Sequence, residues 1–195
     1  MSNHQISFLY TARAKYDKWS DNDQMGWDKY IGWSRLAHLT ELVSLDTGLN
    51  EVLVEPDRSN EDDWKHIILD GHLETGFFST LDYVLKRTKE KVRLNLLAVA
   101  VEPEHDCAFI NLDNFNFIGY DLLDQYYCTS ALTNCGGFDE TFLPADLNNL
   151  GLIDDYQKAC DIKKRLYQNN PLEEHADTKM IAIWRHQVIG HSHPM

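Results

Sequence analysis

A chain of 195 residues, 43% hydrophobic and 25% charged, has the composition of a folded globular protein and can bury a core without disulfide or metal staples. Aromatic content of 11% and recurring aliphatic segments exclude intrinsic disorder. Thirty-one Asp and Glu against eighteen Lys and Arg leave a net charge of -13, which repels phosphate backbones and anionic lipid, so neither a nucleic-acid nor a membrane partner is expected.

Residues 5–14 are rich in β-branched and aromatic side chains and predict a first strand. Residues 21–26 read as a loop, and residues 27–36, with Trp27, Tyr30, Ile31 and Trp33, as a short helix. Segments 41–45 and 51–55 predict a hairpin about the turn Thr47-Gly48-Leu49-Asn50, ended by Pro56, which has no amide hydrogen for a ladder. Asn60 before Glu61, Asp62 and Asp63 marks a capped helix start. Beyond Ser79 or Thr80, the residues Leu81, Val84, Leu85 and Thr88 recur at helical spacing. Asp82 lies in the first turn of that helix and Lys86, Arg87 and Lys89 in its last turns, where the dipole favours them; this accounts for the basic run 86–93.

Leu94 to Val101 is nearly continuously apolar and predicts a central strand buried on both faces. Residues 109–112 and 115–120 predict two more strands about Asp113-Asn114. A polar loop follows over 129–139, then one helical turn over 144–149. In the last helix, over 154–167, Tyr156, Ala159, Cys160 and Leu166 share a face, Asp154 and Asp155 open it, Lys163-Lys164-Arg165 close it and Asn169-Asn170-Pro171 ends it. Residues 180–184 predict the final strand. Strands and helices do not alternate regularly, so the expected class is α+β: a single domain over residues 1–195 with a mixed or mainly antiparallel sheet covered by helices, and residues 187–195 as a tail.

No apolar run reaches the roughly 18–20 residues that a membrane span needs. Met1-Ser2-Asn3-His4-Gln5 has no basic region leading into an apolar one, and a cytoplasmic location is expected. Cys107, Cys128, Cys135 and Cys160 make no C-x-x-C pair, so free thiols are expected. Neither common glycine-rich phosphate loop is present, and no cofactor is expected. His186, His191 and His193 lack the context of a metal motif, and no metal site is expected.

Two places carry the functional expectation. The loop Thr129, Ser130, Thr133, Asn134, Cys135, Gly136 and Gly137 gathers hydroxyls, an amide, a thiol and two glycines, whose amides can point at a ligand with no Cβ in the way. Cys135 could then attack as a nucleophile with His175 as base; a structural turn explains the same residue types. The second place is N-terminal, where Trp19 and Trp27 alternate with Asp21, Asp23 and Asp28 and could grip a basic protein.

The expected function is a non-catalytic binding module for a basic protein partner. Its size and charge have the profile of small acidic proteins that neutralise basic nucleases, such as bacterial immunity proteins and antitoxins, a likeness of composition alone. The alternative is a small cysteine-dependent hydrolase or transferase using Cys135. A homodimer through a sheet edge is compatible with either.

Overall fold

Leu94-Asn95-Leu96-Leu97-Ala98-Val99-Ala100 is buried at every position, as befits a strand flanked by others and covered on both faces. The computed structural model describes residues 7–20, 26–57, 59–70, 73–88, 93–134, 141–169, 171–172 and 175–187. In it this segment is the inner strand β4 (Leu94–Val101) of a six-stranded sheet with β1 (Leu9–Ala14), β2 (Ile67–Asp70), β3 (Leu73–Phe78), β5 (Phe115–Leu123) and β6 (Lys179–His186). The order is β2-β3-β1-β4-β6-β5, and every neighbouring pair is antiparallel. The fold is therefore α+β, with an antiparallel sheet.

Side-chain alternation splits the apolar residues into two layers. Leu96, Ala98 and Ala100 face one way with Ala182 and Trp184 of β6. They meet Tyr83 and Val84 of α3 (Leu81–Arg87) and Ala159, Ile162 and Leu166 of α4 (Tyr156–Asn169). Leu97, Val99, Ile181 and Ile183 face the other way, where the cover is two irregular segments contributing Val43, Leu45 and Leu152. Two further helices are short: α1 (Trp27–Ser34) and α2 (Glu61–Trp64).

Local signals account for the helix starts. Asn60 caps α2 by accepting from the Asp62 amide, and the Asp155 carboxylate accepts from the Lys158 amide at 2.6 Å at the start of α4. The buried stripe of α4, Ala159, Ile162 and Leu166, has the spacing of one helical face.

Two expectations need correction, and one pair of strands was not expected. The hairpin over 41–45 and 51–55 does not form. The amides of Ser44 and Leu45 donate to the side chains of Asn50 and Asp121 instead of to a facing strand, the usual competition from short polar side chains. Residues 51–53 pair with β1 where β3 leaves off: the Ala14 amide donates to the Glu51 carbonyl and the Leu53 amide to the Ala12 carbonyl. Residues 109–112 are likewise no strand. The backbone folds on itself there, with Ile110 N donating to Cys107 O and Phe115 N to Leu112 O, and Asn114 takes a left-handed conformation at φ 64°. Finally, β2 and β3 pair as an antiparallel hairpin that apolar periodicity did not disclose, although the sequence carries the hairpin dipeptide Asp70-Gly71 where β2 ends.

Candidate functional site

Segments far apart in the chain converge on the irregularly covered face of the sheet, and the polar side chains that tie them together are buried. Asp46 Oδ1 accepts the amides of Gly48 and Leu49 at 2.8 and 3.1 Å. Its Oδ2 accepts the Ser130 amide at 3.0 Å and the Asn134 side-chain amide at 2.9 Å. Asp121, on β5, accepts the Ser130 hydroxyl at 2.6 Å and the Leu122 amide at 2.8 Å on Oδ1. The Leu45 amide at 3.2 Å and the Ser44 hydroxyl at 3.4 Å reach its Oδ2. The Ser44 and Thr133 hydroxyls lie 3.0 Å apart, and the Tyr30 hydroxyl donates to the Thr133 carbonyl at 3.1 Å.

Beside this knot lies Arg13, fully buried, donating through Nε to Thr11 Oγ1 at 3.1 Å and through Nη1 to the Asn50 carbonyl at 3.3 Å, with its guanidinium 5.8 Å from the Phe77 ring centre. Burial lowers its pKa to about 10 against the opposing pull of Asp46, Cys128 and Asp121. Burial likewise pushes Asp121 up to about 6 in spite of its hydrogen-bond donors. The Asn50 side chain completes the lock, donating to the carbonyls of Ala14 and Leu42 and accepting from the Ser44 amide.

Of the loop singled out in the sequence, Ser130, Thr133 and Asn134 are thus gathered, but their polar groups bind neighbouring parts of the same chain. Thr129 is half-buried, and its carbonyl accepts the Asp124 amide. Cys135, Gly136 and Gly137 lie outside the described residues. His175 is half-buried, and its Nδ1 is enclosed without a hydrogen-bond partner. Among the described thiols, burial pushes Cys107 up to about 11, the reverse of what a nucleophile needs.

The N-terminal candidates divide similarly. Trp19 is 62% exposed, while Trp27 is half-buried against Tyr16 with ring centres 5.7 Å apart. Asp28 is exposed, and Asp21 and Asp23 lie outside the described residues. The charge around Trp19 is mixed: Lys18 Nζ sits 4.3 Å from its ring centre, and Arg93 pairs with Asp17.

A stronger concentration of negative charge lies elsewhere. Residues 94–157 contain eleven Asp and Glu and no Lys or Arg, a signal plain in the sequence that reading for motifs passes over. Within that stretch Glu104, Asp106, Asp113, Asp154 and Asp155 are exposed. Tyr120 organises much of this surface. Its hydroxyl donates to Asp106 at 2.8 Å and accepts the Cys107 amide at 2.7 Å, and its ring meets that of Tyr156 at 5.8 Å. Its backbone pairs with Ile153, just before Asp154 and Asp155, and the Tyr156 hydroxyl donates to the Pro103 carbonyl, just before Glu104. Phe109, 90% exposed, stands on the same connector, next to Ile110, whose carbonyl accepts the Trp184 indole N–H.

Searches among protein-family models, curated proteins and solved structures found no match to this chain. Among the described residues, no helix is long and apolar enough to cross a membrane, and no group of three His, Cys, Asp or Glu side chains is placed to hold a metal ion.

Proposed function

We propose that this chain is a non-catalytic, cytoplasmic binding module for a basic protein partner, in the manner of an immunity protein or antitoxin. The observation that carries the reading is the connector surface. An almost fully exposed Phe109 shares a segment with Glu104, Asp106 and Asp113, beside Asp154 and Asp155 at the head of α4. Aromatic side chains anchor interfaces through apolar area with little rotamer entropy to lose, and surrounding carboxylates steer a cationic partner into register. Trp19 and Asp28, exposed at the N-terminal side of the chain, are available as a second contact. The loop 129–134 supports the same reading, because its hydroxyls and amides hold the fold together rather than an open reaction centre.

The test is affinity capture from the source cells with the wild-type chain and with Phe109→Ala in parallel. A stoichiometric partner of high isoelectric point, retained by the wild type and depleted at least about tenfold by the variant, is expected from the loss of one anchor residue. Absence of such a partner, or capture indifferent to Phe109, overturns the reading.

A further inference from the structure

We infer that Asp121, Ser44 and Thr133 form a proton-accommodating relay, which keeps the loop 129–134 docked whether Asp121 is ionised or neutral and tightens the fold on mild acidification. The geometry supplies the argument. Among the described residues, the four groups that hydrogen-bond the Asp121 carboxylate all present a hydrogen to it: two backbone amides and the hydroxyls of Ser44 and Ser130. A proton added to such a carboxylate needs a neighbour that can turn from donor to acceptor. Amides cannot turn. Ser130 Oγ has a short 2.6 Å bond to Oδ1 and, among the described residues, no second hydroxyl beside it to take its hydrogen, so it stays a donor.

Ser44 can turn. Its bond to Asp121 Oδ2 is long, 3.4 Å, and 3.0 Å away stands the Thr133 hydroxyl, with which donor and acceptor roles are interchangeable. In the ionised state Thr133 donates to Ser44 and Ser44 to Asp121. In the neutral state Asp121 donates to Ser44 and Ser44 to Thr133. Both hydroxyls rotate, the 3.4 Å gap between Ser44 and Asp121 closes by a few tenths of an ångström to complete the bond, and the Asp46 amide donates to Ser44 throughout.

The charged and titratable groups acting on this knot are Asp46 from the connector 44–50, Arg13 from β1, Tyr30 from α1 and Cys128 from the turn before Ser130. The two carboxylates share Ser130, one through its amide and one through its hydroxyl, and burial together with repulsion from Asp46 pushes the Asp121 carboxyl up. A carboxyl that titrates near 6 when folded and near 3.8 when unfolded binds more protons in the folded state between those values. Stability contributed by Asp121 therefore rises as pH falls, by about tenfold in the folding constant between pH 7 and pH 5.

The experiment is a carboxyl carbon NMR titration of the whole chain, with Ser44→Ala, Thr133→Val and Thr133→Ser. In the wild type the Asp121 resonance is expected to titrate near pH 6. A Ser44 that merely donates to the carboxylate would, on removal, raise that midpoint. In the relay Ser44 makes one bond to Asp121 in each state, so Ser44→Ala should leave the midpoint close to the wild type, whereas Thr133→Val removes the acceptor that Ser44 needs only when Asp121 is neutral and should lower it by roughly half to one pH unit, the worth of one neutral hydrogen bond. Thr133→Ser should restore the wild-type value. A wild-type midpoint near the ordinary carboxylate value, or a Thr133→Val midpoint that stays or rises, overturns the inference, and Thr133→Ala takes the place of Thr133→Val if that variant does not fold.

Discussion

Single positions show how little freedom this fold leaves where irregular chain crosses the sheet. Gly119 adopts φ 134° at the register shift of β5, and a Cβ there would stand 2.8 Å from Leu152 Cβ and 3.0 Å from the Ile153 carbonyl oxygen. Gly119→Ala should cost about 2–4 kcal/mol, combining a disfavoured backbone conformation with overpacking, and a urea melt would show it as a lower midpoint. Glu41 is a second such position. Its two oxygens accept from the Asn95 side-chain amide at 2.7 Å and from Arg185 Nη1 at 3.2 Å, while Nε and Nη2 of Arg185 are buried without a partner. Glu41→Gln removes the one carboxylate paired with this largely buried guanidinium among the described residues. The expected loss is about 3 kcal/mol, readable by the same melt, because breaking a buried pair strands a charge. Neither position was legible beforehand: Glu41 meets Arg185 across 144 positions of chain, and no local pattern encodes such a meeting.

At the scale of elements, legibility followed locality. Strand β4, helix α3 and helix α4 were visible because each carries its own periodicity, continuous for a doubly covered strand and spaced at i, i+3 and i+4 for the helices. The hairpin expected over 41–55 failed because Ser44, Asp46 and Asn50 satisfy the backbone from the side, a competition that apolar counting does not see. The polar character of the loop 129–134 was legible, but not its use: its partners Ser44 and Asp46 lie 89 and 84 positions away. Helix α4 offers a check on the packing. Ile162 is fully buried on its inner stripe, so Ile162→Ala should destabilise by about 2–5 kcal/mol through transfer and cavity costs. Asp155→Ala, which removes only the cap at the start of the helix, should cost about 1 kcal/mol. Comparing the two by thermal unfolding separates tertiary packing from local helix formation.

For the whole molecule, the distribution of charge says more than its total. The net charge of -13 is a total, but the exposed Glu104, Asp106, Asp113, Asp154 and Asp155, in a stretch of sequence without Lys or Arg, concentrate negative charge on the connector before β5 and the approach to α4. Electrostatic attraction of that kind acts mainly on encounter, whereas Phe109 supplies the apolar contact that slows departure. The two contributions should therefore separate kinetically: charge reversal at Glu104 and Asp113 slowing association, truncation of Phe109 speeding dissociation. Neither substitution touches the Asp46–Asp121 knot, so both variants should unfold like the wild type.

The most direct measurement is the salt dependence of partner association for the wild type and for the double variant Glu104→Lys/Asp113→Lys. The association rate should fall steeply as salt rises from about 50 to 500 mM in the wild type and much less steeply in the variant. Equal slopes, or an association insensitive to salt, would contradict an acidic face that meets a basic protein.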